Sequence, residues 1–264
     1  TVFTPALVVW GAFALLHHQS LILALGFNLL ILYLTLGFRQ FSHYFTDIRD
    51  AMERGDQAEA RRLLAEWRHL DASELPRTEV LRHVIEHALL AAHRHVFGVF
   101  FWFVVLSALG LGPMGAVLYR MAEFSTRYWG YRQRSMDAPA NDGLLALSQK
   151  LFGFIDHLPA RLTAAGFAVV GNFEEAAAAW RRDAGLWQQP NEGVILAAAA
   201  GALGVQLGGA AAPGVTPDRS KTFTAGGEAG MADAQGSTAG VPAQPGHLHS
   251  VVGLVWRSVV LWML

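Results

Sequence analysis

The stretch "VFGVFFWFVVLSALGLG", residues 96–112, decides the fold class, because it contains no charged residue and five aromatic side chains. A helix needs about 20 mostly apolar residues to cross the hydrocarbon core of a bilayer. Inside lipid, each backbone N–H and C=O must be paired within the segment, so a helix is the natural element. This stretch is the strongest candidate for a membrane-spanning helix in the chain.

Further apolar stretches lie on both sides of this segment. Residues 3–16 and 21–37 are separated only by the polar letters "HHQS", a pattern that predicts a helical hairpin through the bilayer. Residues 158–171, 191–207 and 247–264 are further candidate spans. The sequence therefore predicts an all-α, polytopic integral membrane protein with the lipid bilayer as its first partner; the resemblance described below implies that this membrane is the bacterial inner membrane.

Composition supports this class and excludes several others. Of the 264 residues, 53% are hydrophobic and 16% are charged, whereas soluble domains carry about a quarter charged residues. The net charge of -1 gives no reason to expect a nucleic-acid partner. The absence of cysteine excludes disulfides, iron–sulfur clusters and thiol catalysis.

Between the apolar stretches lies a polar segment with seven arginines from Arg39 to Arg77. Within it, residues 55–71 carry apolar side chains at helical spacing, which predicts an amphipathic helix. The arginine excess places this segment on the cytoplasmic side. Near the end of the chain, Pro, Gly, Ala, Ser and Thr dominate residues 210–246, a composition typical of a flexible loop. We therefore expect one helical domain over 1–209, then this loop, then a last helix over 247–264.

The letters "HVIEH", residues 83–87, fit the H-x-x-E-H pattern of zinc peptidases. His83 and His87 share one helix face with Glu86 beside them, but a zinc site needs a third protein ligand. The simpler interpretation is a polar helix face near a membrane surface. We predict no metal site, and His83, Glu86 and His87 remain the alternative.

Several stretches taken in order resemble the CobD/CbiB family of membrane proteins in cobalamin assembly. They are "GDQAEARRLLAEWRHLD" (55–71), "EHALLAAHRHVFGVFFW" (86–102), "GPMGAVLYRMAEFSTRYWGYR" (112–132), "LPARLTA" (158–164) and "PNEGVILAAAAGALGVQLGG" (190–209). The resemblance implies an ATP-dependent synthase that joins adenosylcobyric acid to aminopropanol or its phosphate.

The sequence departs from the family at its acidic positions. In the family, three carboxylates spaced four residues apart line one helix face, where they can hold Mg²⁺ and ATP phosphates. Here the aligned positions hold Glu86, Leu90 and Arg94. The family's later Asn and Asp positions fall on Glu123 and Thr126. This loss of acids implies a membrane scaffold or regulator without catalysis, similar to the AmpE-type branch of the family.

The alternative is an active adenosylcobinamide-phosphate synthase with a rearranged set of acids. Its catalytic residues would be Asp71, Glu86, Glu123 and Asp156. Arg120 and Arg161 would then bind phosphate, Mg-ATP would be required, and a corrinoid would be the substrate. On either interpretation, other membrane proteins or further copies of this chain are expected as partners.

Overall fold

The computed structural model describes residues 3–68, 72–135, 142–209 and 237–264. Within these ranges the regular secondary structure is helical, so the all-α prediction is confirmed. The α-helices are α1 (Phe3–Gln19), α2 (Leu21–Thr35), α3 (Phe38–Glu53), α4 (Gln57–Arg68), α5 (Arg77–Ala92), α6 (Gly98–Ala108), α7 (Met114–Ser135), α8 (Asp142–Ile155), α9 (His157–Val170), α10 (Phe173–Asp183), α11 (Pro190–Leu203) and α12 (Pro245–Met263).

A π-helical turn, His93–Phe97, joins α5 to α6 without a break. The resulting helix runs 32 residues from Arg77 to Ala108 and is long and apolar enough to cross a membrane. Among the described residues it is the one helix that meets both conditions, since the apolar helices Leu21–Thr35 and Gly143–Ile155 are shorter. The multi-pass prediction is therefore not confirmed. Of the helices at its other spans, α1, α2, α9 and α11 are too short, and α12 is long enough but does not meet the condition on hydropathy.

Contacts divide the chain into two compact units. The first unit draws on Thr1–Phe38 and His93–Pro159, and so contains α1, α2 and α6 to α8. Its core consists of Val99, Ala116, Tyr119, Ala122 and Ile155. Gly98 and Gly115 allow close packing between α6 and α7, because a Cβ at Gly98 would meet the ring of Tyr119 and one at Gly115 would meet the carbonyl of Trp102.

The second unit draws on Arg39–Ala92 and Ala160–Leu264. Its interior is formed by α5 and α11, which are buried over most of their lengths. Pro190 begins α11 at a position where a missing N–H costs nothing, and Gly204 ends the helix in the left-handed conformation at φ 65°. At Gly201, a Cβ would meet the backbone of Glu175, so α10 and α11 pack at backbone distance there.

After α11, residues 204–208 run beside residues 237–241. The N–H of Gln206 donates to the carbonyl of Val241 at 2.8 Å, and that of Thr238 donates to the carbonyl of Leu207 at 2.8 Å. The segment predicted as a loop, 210–246, thus ends in paired backbone from 237 onward, while 210–236 lies outside the described residues. The last helix begins at Pro245, two residues before the predicted start at 247.

Two other boundaries differ from the sequence prediction. The predicted span 158–171 corresponds to α9, which begins at His157 and carries Pro159 in its first turn, where proline is tolerated. The polar sequence of residues 131–143 predicts a loop, but residues 131–135 continue α7. Charged and polar letters are compatible with a helix that has a solvent-facing side, so composition alone does not end it.

Candidate functional site

The sequence-predicted site residues fall into both units. Arg120, Glu123 and Asp156 belong to the first unit, and Glu86 and Arg161 to the second. Asp71 lies outside the described residues. Each unit therefore presents its own group of predicted residues.

Glu86 lies on α5 and is fully buried. Its Oε1 atom accepts a hydrogen bond from Nη1 of Arg82 at 3.3 Å and another from the main-chain N–H of Gly208 at 2.7 Å. Its Oε2 atom is buried without a hydrogen bond among the described residues and lies 3.8 Å from Nδ1 of His83. The carboxylate is thus compensated by a cation one helical turn away and by a backbone donor from the loop after α11.

Arg82 connects Glu86 to a second carboxylate. Its Nε donates to Oε2 of Glu79 at 3.1 Å, and its Nη2 bonds the same oxygen. The Arg82 side chain is 6% exposed and that of Glu79 is 26% exposed. A buried guanidinium between two carboxylates is stable only because all three groups are close and hydrogen-bonded.

The two histidines of the H-x-x-E-H pattern have other partners. Nη1 of Arg68 donates to Nδ1 of His83 at 3.0 Å, since a guanidinium cannot accept. The His87 ring packs edge-on against Trp67 with centroids 4.1 Å apart. Over the described ranges, no group of three or more His, Cys, Asp or Glu side chains is placed to hold a metal ion. The alternative zinc site of His83, Glu86 and His87 is therefore not assembled by this geometry.

Asp156 lies at the junction between α8 and α9 and is 5% exposed. Its Oδ1 atom bonds Nε2 of His93 at 2.8 Å and accepts from the hydroxyl of Tyr119 at 2.7 Å. Burial, followed by the charge of Asp156, raises the pKa of Tyr119 well above its ordinary value. Tyr119 therefore stays protonated and acts as a donor to the carboxylate.

Glu123 lies on α7 between two arginines of the same helix. Its Oε1 is 3.2 Å from Nε of Arg127, and its Oε2 is 3.4 Å from Nη1 of Arg120. Nη1 of Arg120 also donates to Nδ1 of His95 at 2.7 Å. Burial lowers the pKa of Arg120, and the negative charge of Glu123 partly offsets this lowering. Two arginines flank a single carboxylate here, so Arg120, Glu123 and Arg127 together carry a net positive charge.

Arg161, the other predicted phosphate ligand, lies on α9 and donates from Nη1 to Oδ1 of Asn191 at 3.0 Å. The resemblance described above implies carboxylates at positions 90 and 94, where this chain carries leucine and arginine. Leu90 is 1% exposed and Arg94 is 8% exposed, so both replacements are buried. The helix face that carries positions 86, 90 and 94 is therefore buried in this structure.

Among the described residues, which leave out Asp71, no group of three or more His, Asp or Glu side chains is placed to hold a magnesium ion with bound phosphates. Mg²⁺ prefers several carboxylate oxygens and water in octahedral geometry. Here Glu86, Glu123 and Asp156 each bond protein cations or donors. Binding of a metal would require these contacts to be exchanged first.

Sequence reasoning missed the partners of these acids. Arg82 precedes Glu86 by four residues, so helical spacing was sufficient to indicate that pair. His93 and Asp156 are 63 residues apart, and Glu86 and Gly208 are 122 apart. No local pattern in the sequence joins either of these pairs.

Comparison with known proteins places the chain in a family. The family model described as CobD/Cbib protein matches residues 1–229. The cobalamin biosynthesis protein CobD of Stutzerimonas stutzeri is 34% identical over 237 residues, which is 90% of this chain and 70% of that protein. The CobD protein of Chromobacterium violaceum is 37% identical over 184 residues, 69% of this chain and 55% of that protein.

A protein with the other family name is also similar. The cobalamin biosynthesis protein CbiB of Salmonella typhimurium is 27% identical over 212 residues, which is 76% of this chain and 62% of that protein. These matches span between about half and 70% of the relatives' own lengths. No solved structure matches. The family match and the identity to the Stutzerimonas protein agree with the motifs described above, and the chain belongs to the CobD/CbiB family.

Proposed function

We propose that this chain is a membrane-embedded CobD/CbiB-family protein that has lost the synthase reaction and acts as a scaffold or regulator in the bacterial inner membrane. One observation carries the proposal. Glu86, Glu123 and Asp156 are each bonded by a cation or donor of the chain itself. A synthase of this family would need such acids for magnesium and phosphate.

A biochemical assay tests the loss of catalysis. The full-length protein, purified in detergent, is incubated with adenosylcobyric acid, aminopropanol phosphate and Mg-ATP, and the amide product is measured by mass spectrometry. We expect no product. A family member with carboxylates at the positions aligned to 86, 90 and 94 serves as the positive control. Product that forms here and disappears in Glu86→Gln would contradict the proposal.

An active adenosylcobinamide-phosphate synthase is the second candidate. The 34% identity over nine-tenths of this chain to a protein named for cobalamin biosynthesis favours it. In that case Arg120 and Arg161 would exchange His95 and Asn191, their present partners, for phosphate oxygens. Variants Arg120→Gln and Arg161→Gln would then raise the KM for ATP, while an inactive protein would show no turnover to affect.

The surface of the first two helices supports the membrane location. Large apolar side chains of α2 are exposed: Leu21, Ile22, Leu23, Leu25, Leu29, Leu30, Tyr33 and Leu34. A contiguous apolar surface of this kind needs lipid or another protein to cover it. By contrast, α4 exposes Glu59, Arg62 and Glu66, which are suited to water.

Cysteine labelling tests this location directly, because these 264 residues contain no cysteine. Single variants Ile22→Cys and Glu66→Cys, at side chains exposed in α2 and α4, are treated with a charged maleimide in opened membrane vesicles. We expect Glu66→Cys to react at once and Ile22→Cys to react only after detergent is added. Equal reaction of both in intact bilayers would show that α2 faces water.

A further inference from the structure

A cavity of about 300 Å³ lies in the second unit, against the start of α5. Its volume is at the lower end of the range of roughly 300–1,000 Å³ found for small-molecule sites. Its wall contains Thr78, Glu79 and Arg82 from α5, Gln206, Gly208 and Gly209 from the loop after α11, and Ser237, Pro242 and Ala243. The family acids Glu123 and Asp156 take no part in it.

Backbone hydrogen bonds join the two segments that supply Gln206 and Ser237 to the wall. Val241 donates from its N–H to the carbonyl of Gly204 at 3.0 Å, and Leu207 donates to the hydroxyl of Thr238 at 2.8 Å. At Gly240, with φ 141°, a Cβ would lie 2.7 Å from the carbonyl carbon of Val205, so only glycine allows this approach. Together with the bonds from Gln206 and Thr238 described above, these contacts fix the two segments that carry Gln206 and Ser237.

The charges at the wall balance locally. Arg82 faces Glu79 within the wall and Glu86 behind it. An anion at Arg82 would have to displace Glu79 from the guanidinium. A cation at Glu79 would meet the positive charge of Arg82. A ligand without net charge avoids both penalties.

The hydrogen-bonding groups that face the cavity are mainly acceptors. Both hydrogen bonds from Arg82 to Glu79 go to Oε2, and within the described residues Oε1 of Glu79 has no hydrogen bond. Gln206 donates from Nε2 to the hydroxyl of Ser237 at 2.8 Å, which leaves its amide oxygen directed to other donors. The Ser237 hydroxyl accepts this bond and keeps its own hydrogen to donate.

A neutral ligand with several hydroxyl groups matches this set. Each hydroxyl is both donor and acceptor, so it can give to Glu79 or Gln206 and receive from Ser237 or Thr78. Pro242 and Ala243 supply an apolar wall for the C–H face of a ring. We propose that this cavity is a binding site for a neutral polyol the size of a monosaccharide or cyclitol, separate from the family's acidic positions.

Titration of the full-length protein in detergent tests the site. Binding of myo-inositol, D-ribose and D-glucose is measured by isothermal calorimetry, with inorganic phosphate and tetramethylammonium as charged probes. We expect saturable binding of at least one polyol and none of either ion. Binding of phosphate or the ammonium ion in competition with the polyol would overturn the proposal, as would the absence of binding by all three polyols.

Two variants localise the binding. Glu79→Gln and Gln206→Met each change one acceptor in the wall, and either change should weaken polyol binding by about five- to tenfold, as expected for a lost hydrogen bond to a partly exposed acceptor. Glu59→Gln is the matched control, because Glu59 stands three residues before Arg62 as Glu79 stands before Arg82. Circular dichroism confirms that each variant is folded. Unchanged affinity in both folded wall variants would place the ligand elsewhere and refute the assignment.

Discussion

The second unit contains the same charge pattern twice, once on α4 and once on α5. Glu59, Arg62 and Glu66 have the spacing E-x-x-R-x-x-x-E, and so do Glu79, Arg82 and Glu86. In each case the arginine bonds the acid three residues before it and the acid four residues after it. Local sequence therefore produces the same ion-pair geometry at both places.

The two Glu–Arg–Glu triads, one on α4 and one on α5, differ in burial. The Arg62 side chain is 56% exposed, whereas that of Arg82 is 6% exposed and that of Glu86 is fully buried. An exposed pair contributes little, because water screens it and both side chains lose rotamer freedom. A buried pair holds two desolvated charges that depend on one another, so the comparison shows that an identical pattern has different consequences according to its surroundings.

Replacing the arginine of each triad should give the largest difference in the free energy of unfolding. Arg82→Leu leaves the buried Glu86 carboxylate without its cation, a change that costs about 3–5 kcal/mol in other proteins. Arg62→Leu should leave the free energy of unfolding unchanged within error. Denaturant unfolding of both variants in detergent measures the difference. If both variants had the same free energy of unfolding, Glu86 would not be desolvated, contrary to its burial in the structure.

A buried acid of the first unit extends the comparison. Tyr119→Phe removes the hydroxyl that donates to Asp156 and keeps the ring, so a loss of about 1.5–3 kcal/mol is expected for a hydrogen bond to a charged group. Phe124→Leu, at a half-exposed aromatic position of the same helix, is the control. Loss of stability in the control alone would show that ring packing, not the hydroxyl, supports α7.

Replacing the last glutamate of each triad with glutamine tests the role of its charge. Glu86→Gln keeps an oxygen for the N–H of Gly208, and Arg82 keeps Glu79 as a partner, so a loss of about 1–2 kcal/mol is expected. Glu66→Gln on α4 should have no effect. Hydrogen exchange at the amide of Gly208 should stay slow in Glu86→Gln, and fast exchange there would show that the charge, rather than the oxygen, holds the loop.

The smallest expected effect concerns pH and the exposed triad. The hydrogen bond from Arg62 lowers the pKa of Glu59. The contribution of this exposed contact to stability, too small to change the unfolding free energy measurably, is present above the ordinary glutamate pKa and is lost as pH falls through the lowered value. NMR titration of the side-chain carboxyl should give a pKa below that of a free glutamate. In Arg62→Leu the pKa should rise toward the ordinary value, and an unchanged pKa in this variant would mean that Arg62 does not cause the shift.

The sequence predicted the helices of this region well, because their apolar residues recur at helical spacing. Residues 55–71 contain α4. The apolar spacing of residues 81–92 also predicts a helix over about 79–94, which corresponds to α5 and the turn after it. The same periodicity could not distinguish the surroundings of Arg62 from those of Arg82. Which face becomes interior depends on α11 and α12, whose contacts with α5 come from distant parts of the chain.

The candidate site was predicted less completely. Family alignment singled out Glu86, Glu123 and Asp156, but their partners come from both local and distant residues. Arg120 and Arg127 lie within one turn of Glu123, whereas His93 reaches Asp156 only through packing of the first unit. Long-range pairing of this kind is a property of the folded chain and leaves no periodic trace in the sequence.

The bond from Gly208 to Glu86 has an evolutionary consequence, because its donor belongs to the main chain. Any amino acid except proline carries the same backbone N–H, so a substitution at position 208 does not by itself remove the hydrogen-bond donor. What restricts this position is instead its backbone angle, φ 73°, which glycine adopts without strain. Side chains near position 208 can therefore be replaced while the hydrogen bond between the loop after α11 and α5 is kept.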